Sequence, residues 1–532
     1  MKELKELRFQ DLTVKQKLGI VHTPLLQIGV VDGGVDYVIE QIKAHSVGIV
    51  WVQWGTTPEA VSFCEDIIGR LRAAADYPLV IVTDAEDGMS PYRIGQHSAL
   101  GTTDTIEHAY AFGKATAIVA KSHGYDMVCN PILDGRKSGW TRGYGEDKHR
   151  IARLAMAETR GMKDGGLLTM AKHYPSVRYD VEVDTHMVEG ISSQTKEELI
   201  NESLYPYTEL MKEGLLDAVM SAHEKLPNID PDAPASMSKK CIDIIRELGF
   251  DGLIMTDALC MMGIRARYGR KECFGYALEA GNDIPLYYAN DPKFDQEALY
   301  ECYEKGLISD AALDSAVKRI LALQHKALLN RTPKYTSLTD EEERLVKSIN
   351  KDGIYAILDE GTSLSIDQNG RYFFALMVSN EYTSGVKDGL IVDTFSNGWY
   401  YPAKITEKIK ELFPNSHVEQ FCEFPTQGQN GRILTRSLDY DGIIFITFSE
   451  FIAYMGIEHY THRVVTLVDA MQHTGRIGTL IHCGNPKIVE ELAHIPRRIF
   501  AGRAEEATYA AIEVLAGKHE PKGKPNYTLN LK

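Results

Sequence analysis

Cysteine is scarce and scattered, with eight in 532 residues at positions 64, 129, 241, 260, 273, 302, 422 and 483 and no C-x-x-C pair. That spacing speaks against a zinc ribbon or a dithiol redox motif. Cysteines set in apolar runs, such as Cys129 in MVCNPIL, read as reduced core residues. An uninterrupted apolar run of about 18 residues, the length a membrane-spanning helix needs, is also lacking. The nearest stretch, Gly442 to Ile457, is broken by Ser449 and Glu450. The opening MKELKELRFQDLTVKQKLGI has neither the apolar core nor the small-residue cleavage site of a secretory signal. Positive charge is not in excess either: 58 Lys+Arg face 74 Asp+Glu, a net −16, which argues against a generic nucleic-acid binder. No G-x-G-x-x-G or phosphate loop opens a domain, and GYGED is a lone glycine pair. Together these absences lead us to expect a cytoplasmic protein with no membrane and no nucleic acid among its partners.

What is present is ordinary globular composition, 44% hydrophobic and 25% charged, arranged in a repeating order. From residue 47 to about 288 the apolar runs VGIVWVQ, PLVIVTD, DMVCNPILD, LLTMAKHYP, AVMSAHEKL, DGLIMTDAL and DIPLYY alternate with segments of helical period such as HAYAFGKATAIVAKSHG. Strand and helix alternating this often imply parallel pairing. Most runs end in a polar or ionisable residue: Asp84, Asp134, Lys172 with His173, His223 and Asp257. In a barrel of parallel strands those ends converge on one pocket, whereas an open sheet spreads them along a line. The expected fold is therefore α/β, a TIM-type (β/α)8 barrel over 1–330. RTPKYTSLTDEEER then reads as a linker, 331–345. Runs RYFFALMVS, LIVDTF, YDGIIFITF and RIGTLIHCGNP with intervening helical stretches form a smaller α/β domain over 346–532.

On spacing alone Asp257, at the end of LIMTD, serves equally as nucleophile, metal ligand or helix cap. Asp184 and His186, two apart in extended chain, point to the same side, so the carboxylate can hold the imidazole and favour its protonated form. His173, Asp184, His186 and His223 could instead offer metal ligands, but no H-x-x-x-H or H-E-x-x-H spacing supports a site. Lys172 and Arg142 could equally be structural ion-pair partners in a barrel mouth.

Taken in order, NPILD (130–134), TRGYGED (141–147), AKHYP (171–175) followed by Asp184 eleven residues after its His, VMSAH (219–223), PASMS (234–238) and GFDGLIMTDALCM (249–261) resemble glycoside hydrolase family 3. The likeness is to the branch of β-N-acetylglucosaminidases with a His/Asp dyad on a mobile loop, and it runs over roughly residues 10 to 330. HCGNP (482–486) and LAGKHEPKGKP (515–525) are more loosely similar to the family's α/β sandwich domain. The resemblance implies a retaining β-glycosidase with Asp257 as nucleophile and Asp184 with His186 as the acid/base dyad. It implies sugar contacts from Asp84, Arg142, Lys172 and His173, with Arg93 in place of a second arginine and His223 lining the pocket.

The implied reaction needs no cofactor, since acetal cleavage requires only acid, base and nucleophile. The implied partner is a small oligosaccharide or amino-sugar glycoside, with the second domain either completing the pocket or pairing two copies in a homodimer. Two departures bear on specificity. The family's Pro-Gly-His-Gly loop reads Pro175-Ser176-Val177-Arg178, and its Glu-Gly-Gly-Arg reads Glu86-Asp87-Gly88-Met89. Alternatives are a phosphorylase on the same scaffold, with Lys172, Arg142 and Arg178 as a basic mouth for phosphate, or a β-glucosidase. In the latter case the acid could come from the second domain, as Glu450 or Glu458. A sugar-binding protein that has lost catalysis is the reading from another class.

Overall fold

The computed structural model describes residues 4–30, 33–55, 57–135, 142–289, 291–378, 382–387, 390–395, 400–449 and 453–531. The chain divides into two compact units, Met1–Arg93 with Thr105–Val346, and Ile94–Asp104 with Lys347–Lys532. The helix His97–Thr103, which lies inside the sequence of the first unit, thus belongs with the second. The stretch read as a linker runs into a helix, Asp340–Asp352.

The first unit holds seven parallel strands in chain order: β1 (Leu25–Leu26), β2 (Ile49–Val52), β3 (Val80–Thr83), β4 (Met127–Val128), β5 (Leu168–Tyr174), β6 (Ala218–Ser221) and β7 (Leu253–Thr256). An eighth segment continues the sheet through a parallel bridge from Met255 to Ile284. Its end returns to the beginning. Tyr288 donates its hydroxyl to Gln53 Oε1 at 2.7 Å and meets Trp51 of β2 edge-on at 5.6 Å. The expected barrel is thus present. Alternate residues, from Leu25 and Trp51 through Met127 and Met170 to Met255 and Leu286, share one inner buried cluster. Their neighbours Leu26, Val50, Ile81 and Val128 face a second cluster with the surrounding helices. That alternation is what a strand buried on both faces requires.

Two helices place the loop after β4. Ile106–Ser122 and Lys148–Asp164 approach so closely that a Cβ on Gly113 would lie 2.0 Å from the Glu158 carbonyl oxygen. The buried Glu158 carboxylate accepts from Asn130 Nδ2 at 3.1 Å and from the Tyr144 hydroxyl. It thereby ties down both sides of the loop that carries Asp134 and Arg142.

In the second unit a six-stranded sheet has the order β12-β9-β13-β14-β15-β8. Its members are β8 (Tyr355–Leu358), β9 (Tyr372–Val378), β12 (His417–Cys422), β13 (Gly442–Phe448), β14 (Ile477–Cys483) and β15 (Arg497–Ala501). All neighbours pair in parallel except β8, which runs antiparallel to β15. A separate antiparallel hairpin, β10 (Tyr382–Lys387) with β11 (Leu390–Phe395), takes up LIVDTF, a run expected in the smaller domain together with the strands of the six-stranded sheet. Helices Pro402–Leu412, His462–Gln472 and Glu505–Leu515 pack their apolar faces into the same core as the sheet.

Candidate active site

Parallel strands share one direction, so the polar residues at their C-terminal ends meet at one mouth of the barrel. Lys172, near the end of β5, is the hub. Its Nζ lies 2.7 Å from Asp84 Oδ1, just past β3, and 2.6 Å from Glu86 Oε1. Arg142 forks onto the same Glu86, Nε to Oε2 at 3.1 Å and Nη2 to Oε1 at 2.7 Å. Burial disfavours charge on Glu86, Lys172 and Arg142, yet each is held ionised by its partners. Arg142 and Lys172 keep the Glu86 carboxyl well below the usual range, and Asp84 and Glu86 raise Lys172 above its ordinary value. Two cations thus face two anions, so the ion-pair role considered for Lys172 and Arg142 coexists with any contact they make to a ligand.

Glu86→Ala would strip Lys172 and Arg142 of a shared, half-buried anion. Breaking a fully buried pair from one side costs about 3 to 5 kcal/mol; with Glu86 25% exposed a smaller loss is expected, read as a lower denaturation midpoint in urea.

His173 stands next along β5. Its Nδ1 lies 2.7 Å from Asp134 Oδ2, and its main-chain N–H donates to Asp134 Oδ1 at 3.0 Å. A carboxylate there makes Nδ1 the donor, leaving Nε2 toward Arg142 Nη2 at 3.4 Å and Asp257 Oδ2 at 3.9 Å. Asp257 follows β7. Its N–H donates to the Ser221 carbonyl at 2.7 Å and its Oδ1 accepts from Ala258 N at 2.7 Å. Burial opposes its ionisation, but His173, His223, the Ala258 N–H and Lys172 prevail and bring its carboxyl down to about 2.

His223, two residues past β6, donates from Nε2 to the Ala258 carbonyl at 3.1 Å, so its Nδ1 accepts from Ser236 Oγ at 2.8 Å. Burial lowers its pKa, which suits this neutral, supporting form. Asp184 and His186 form the expected pair: Nδ1 to Oδ1 at 2.9 Å, with the His186 N–H on the same oxygen at 3.0 Å. The His186 carbonyl accepts from Met262 N at 3.0 Å, five residues past Asp257. That bond sets the dyad segment beside the stretch that follows β7.

Arg93 is engaged elsewhere, with its guanidinium on Asp87 Oδ2 at 3.2 Å and its side chain 44% exposed. Two residues at the centre of the cluster carried no role in the sequence reading. In the sequence Asp134 is marked only as a strand end, and Glu86 only as part of a departure from a motif. The spacing Asp84-x-Glu86, which in extended chain aims two carboxylates the same way, is the signal that could have joined them. Glu458, the rival acid, lines a pocket of the second unit with Phe424, Phe448 and His459. Glu450 lies outside the described residues. Among the described residues no cluster of His, Cys, Asp and Glu is arranged to hold a metal, and no helix is long and apolar enough to cross a membrane.

Comparison with known proteins bears on the fold that carries these residues. The model of the glycosyl hydrolase family 3 N-terminal domain matches residues 24–323, more than half of the chain. A β-hexosaminidase of Hydrogenovibrio crunogenus is 28% identical over 272 residues, covering 49% of this chain and 74% of that one. Among solved structures, a family 3 β-N-acetylglucosaminidase from a Paenibacillus species superposes with a TM-score of 0.80 at 24% identity, covering 98% of this chain and all of that one. A β-glucoside phosphorylase, BglX, does so at 0.77 and 22%, covering 98% and 94%.

Proposed function

We propose that this chain, which belongs to glycosyl hydrolase family 3 and is a glycoside hydrolase, removes terminal β-linked N-acetylglucosamine by a retaining mechanism. The observation that carries the reading is Asp257: an ionised carboxylate with one oxygen fixed by Ala258 N–H and the other turned toward His173, at the end of a barrel strand. In this reading Asp257 attacks the anomeric carbon while His186, held by Asp184, protonates the departing oxygen. The glycosyl-aspartate is then opened by water, from which His186 takes the proton. Asp84, Lys172, Glu86, Arg142 and His173 surround the sugar hydroxyls. Their paired charges supply both donors and acceptors at fixed positions without a net field, which suits a neutral substrate. His223 supports the wall behind Asp257. Arg93 is left out of this set.

Phosphorolysis on the same scaffold is the second reading. A histidine acid/base favours it, because it does not repel an incoming anion as a carboxylate would. The balance of charge counts against it. Lys172 and Arg142 are each met by Asp84 or Glu86, and Arg178 lines a pocket with Lys148, Glu146 and Glu202, so neither set leaves an excess of positive charge. One panel separates the readings: aryl β-N-acetylglucosaminide, β-glucoside and β-xyloside, each with and without inorganic phosphate. The N-acetylglucosaminide should turn over fastest, with free sugar as product in both arms. Sugar-1-phosphate in the phosphate arm would replace hydrolysis with phosphorolysis, and preference for the glucoside would move the enzyme to the β-glucosidases.

A further inference from the structure

Glu224 is a buried carboxyl for which the reaction just described has no use. It follows His223 and is 5% exposed. Its Oε1 accepts from the Tyr179 hydroxyl at 2.6 Å, while Oε2 is buried without a hydrogen-bond partner. Burying a carboxyl with one oxygen bare is unfavourable, so the position calls for a reason.

The segment between Tyr179 and Ser192 carries Asp184 and His186, and both of its ends meet at Glu224 and the next residue. At the entry, the ring of buried Tyr179 lies so close to Gly190 that a Cβ there would come within 2.6 Å of it. At the exit, the Gly190 carbonyl accepts from Lys225 N at 2.8 Å, and Ser192 N donates to the Lys225 carbonyl at 2.9 Å. The ends are joined to each other by Asp180 N to the Ile191 carbonyl at 2.9 Å. The far side of the loop is held by His186 O on Met262 N and by Glu189 on Arg267 at 2.8 Å. The Glu224 main chain is itself fixed, its carbonyl accepting from Ala235 N at 2.7 Å.

We propose that Tyr179 and Glu224 form a buried clamp that positions the Asp184–His186 loop for proton transfer, with Glu224 a positioning residue and not the acid. The proposal rests on the reading of His186 as proton donor. Burial pushes the Glu224 carboxyl up to about 8. The Tyr179 hydrogen bond opposes that rise, and Asp134 and Asp257 add to it. Tyr207 and Cys241 are its other titratable neighbours. At pH 7 the clamp is therefore uncharged and adds no third anion beside Asp134 and Asp257.

The test compares Tyr179→Phe, Glu224→Ala and Glu224→Gln on two aryl glycosides of the sugar that the panel selects. In one the leaving group is phenol, which needs a proton; in the other it is 2,4-dinitrophenol, which departs without one. Tyr179→Phe keeps the ring against Gly190 and removes only the hydroxyl. It and Glu224→Ala should lower kcat for the phenyl glycoside by roughly tenfold or more, the scale on which small misplacements act, with KM little changed. Compared as kcat/KM, which reports the first displacement alone, the dinitrophenyl glycoside should be far less affected, and Glu224→Gln, an uncharged acceptor of similar shape, should recover most of the loss.

Equal losses of kcat/KM on both substrates, no loss on either, or a Gln variant that behaves as Ala would overturn the clamp. His186→Ala keeps the two failures apart. If it shows no leaving-group dependence the proton-donor reading falls. If it does and Tyr179→Phe does not, the clamp alone falls.

Discussion

Replacing Asp257 with alanine is expected to abolish chromophore release from every aryl glycoside, whatever its leaving group, by at least about 10⁴-fold, the scale seen when a covalent enzyme loses its nucleophile. The uniformity follows from the chemistry. A good leaving group relieves the need for an acid but not for an attacking atom, and none of the nearby groups replaces a carboxylate oxygen at this place. Asp257 is held below the ordinary aspartate range, so it is ionised through the neutral and mildly acidic region. Its carboxyl, at about 2, would be only about 1% protonated at pH 4. Activity that depends on it is therefore present above that value and lost as pH falls through it. The space left by the truncated side chain should admit a small anion. Azide attacking the anomeric carbon from that face gives the α-glycosyl azide, because one displacement inverts where two retain. Unchanged turnover in Asp257→Ala would remove the nucleophile assignment and with it the retaining mechanism.

The barrel was legible where strands are continuous apolar runs closed by a charge, as PLVIVTD and DGLIMTDAL are. It was not legible at β1, whose two residues, Leu25 and Leu26, are too few for any periodicity. In the second unit HVEQFC and RRIFA carry no strand signal, because polar residues make up half or nearly half of each. Arg498 is nonetheless 2% exposed, its guanidinium bonded to the Ala493 carbonyl and to Asp359, so a charge that argued against a buried strand is neutralised by contacts no local pattern reveals.

The site divides in the same way. Asp84, Lys172, His173, His223 and Asp257 stand at strand ends, and parallel topology alone brings them together. Glu86, Asp134 and Glu224 act through partners far along the chain, respectively Arg142 with Lys172, His173, and Tyr179. Reading them requires the folded geometry. Arg93 is assigned by resemblance alone, as a stand-in for the basic residue that Met89 replaces, and it pairs with Asp87.

Replacing His186 with alanine should produce a different pattern from the nucleophile variant. Asp184 is 3% exposed and takes both the ring Nδ1–H and the main-chain N–H of His186, which fixes the ring and leaves Nε2 as the atom that exchanges a proton. Loss of a positioned acid typically lowers rates by about 10² to 10⁴, and that loss is expected in full for the phenyl glycoside. For 2,4-dinitrophenyl glycosides the first displacement should proceed nearly unimpaired. The second then lacks its base, so glycosyl-Asp257 accumulates and the dinitrophenolate appears as a burst followed by slow turnover. Azide needs no deprotonation, so it should restore the steady rate by capturing that intermediate. Two successive displacements retain configuration, which makes the product the β-glycosyl azide, the anomer opposite to that from Asp257→Ala. Asp184→Asn should fall between wild type and His186→Ala, since an amide holds the ring less firmly and does not stabilise its protonated form. A His186→Ala variant with equal losses on both leaving groups, no burst and no response to azide would instead move the acid to another residue, with Glu458 of the second unit the first to test.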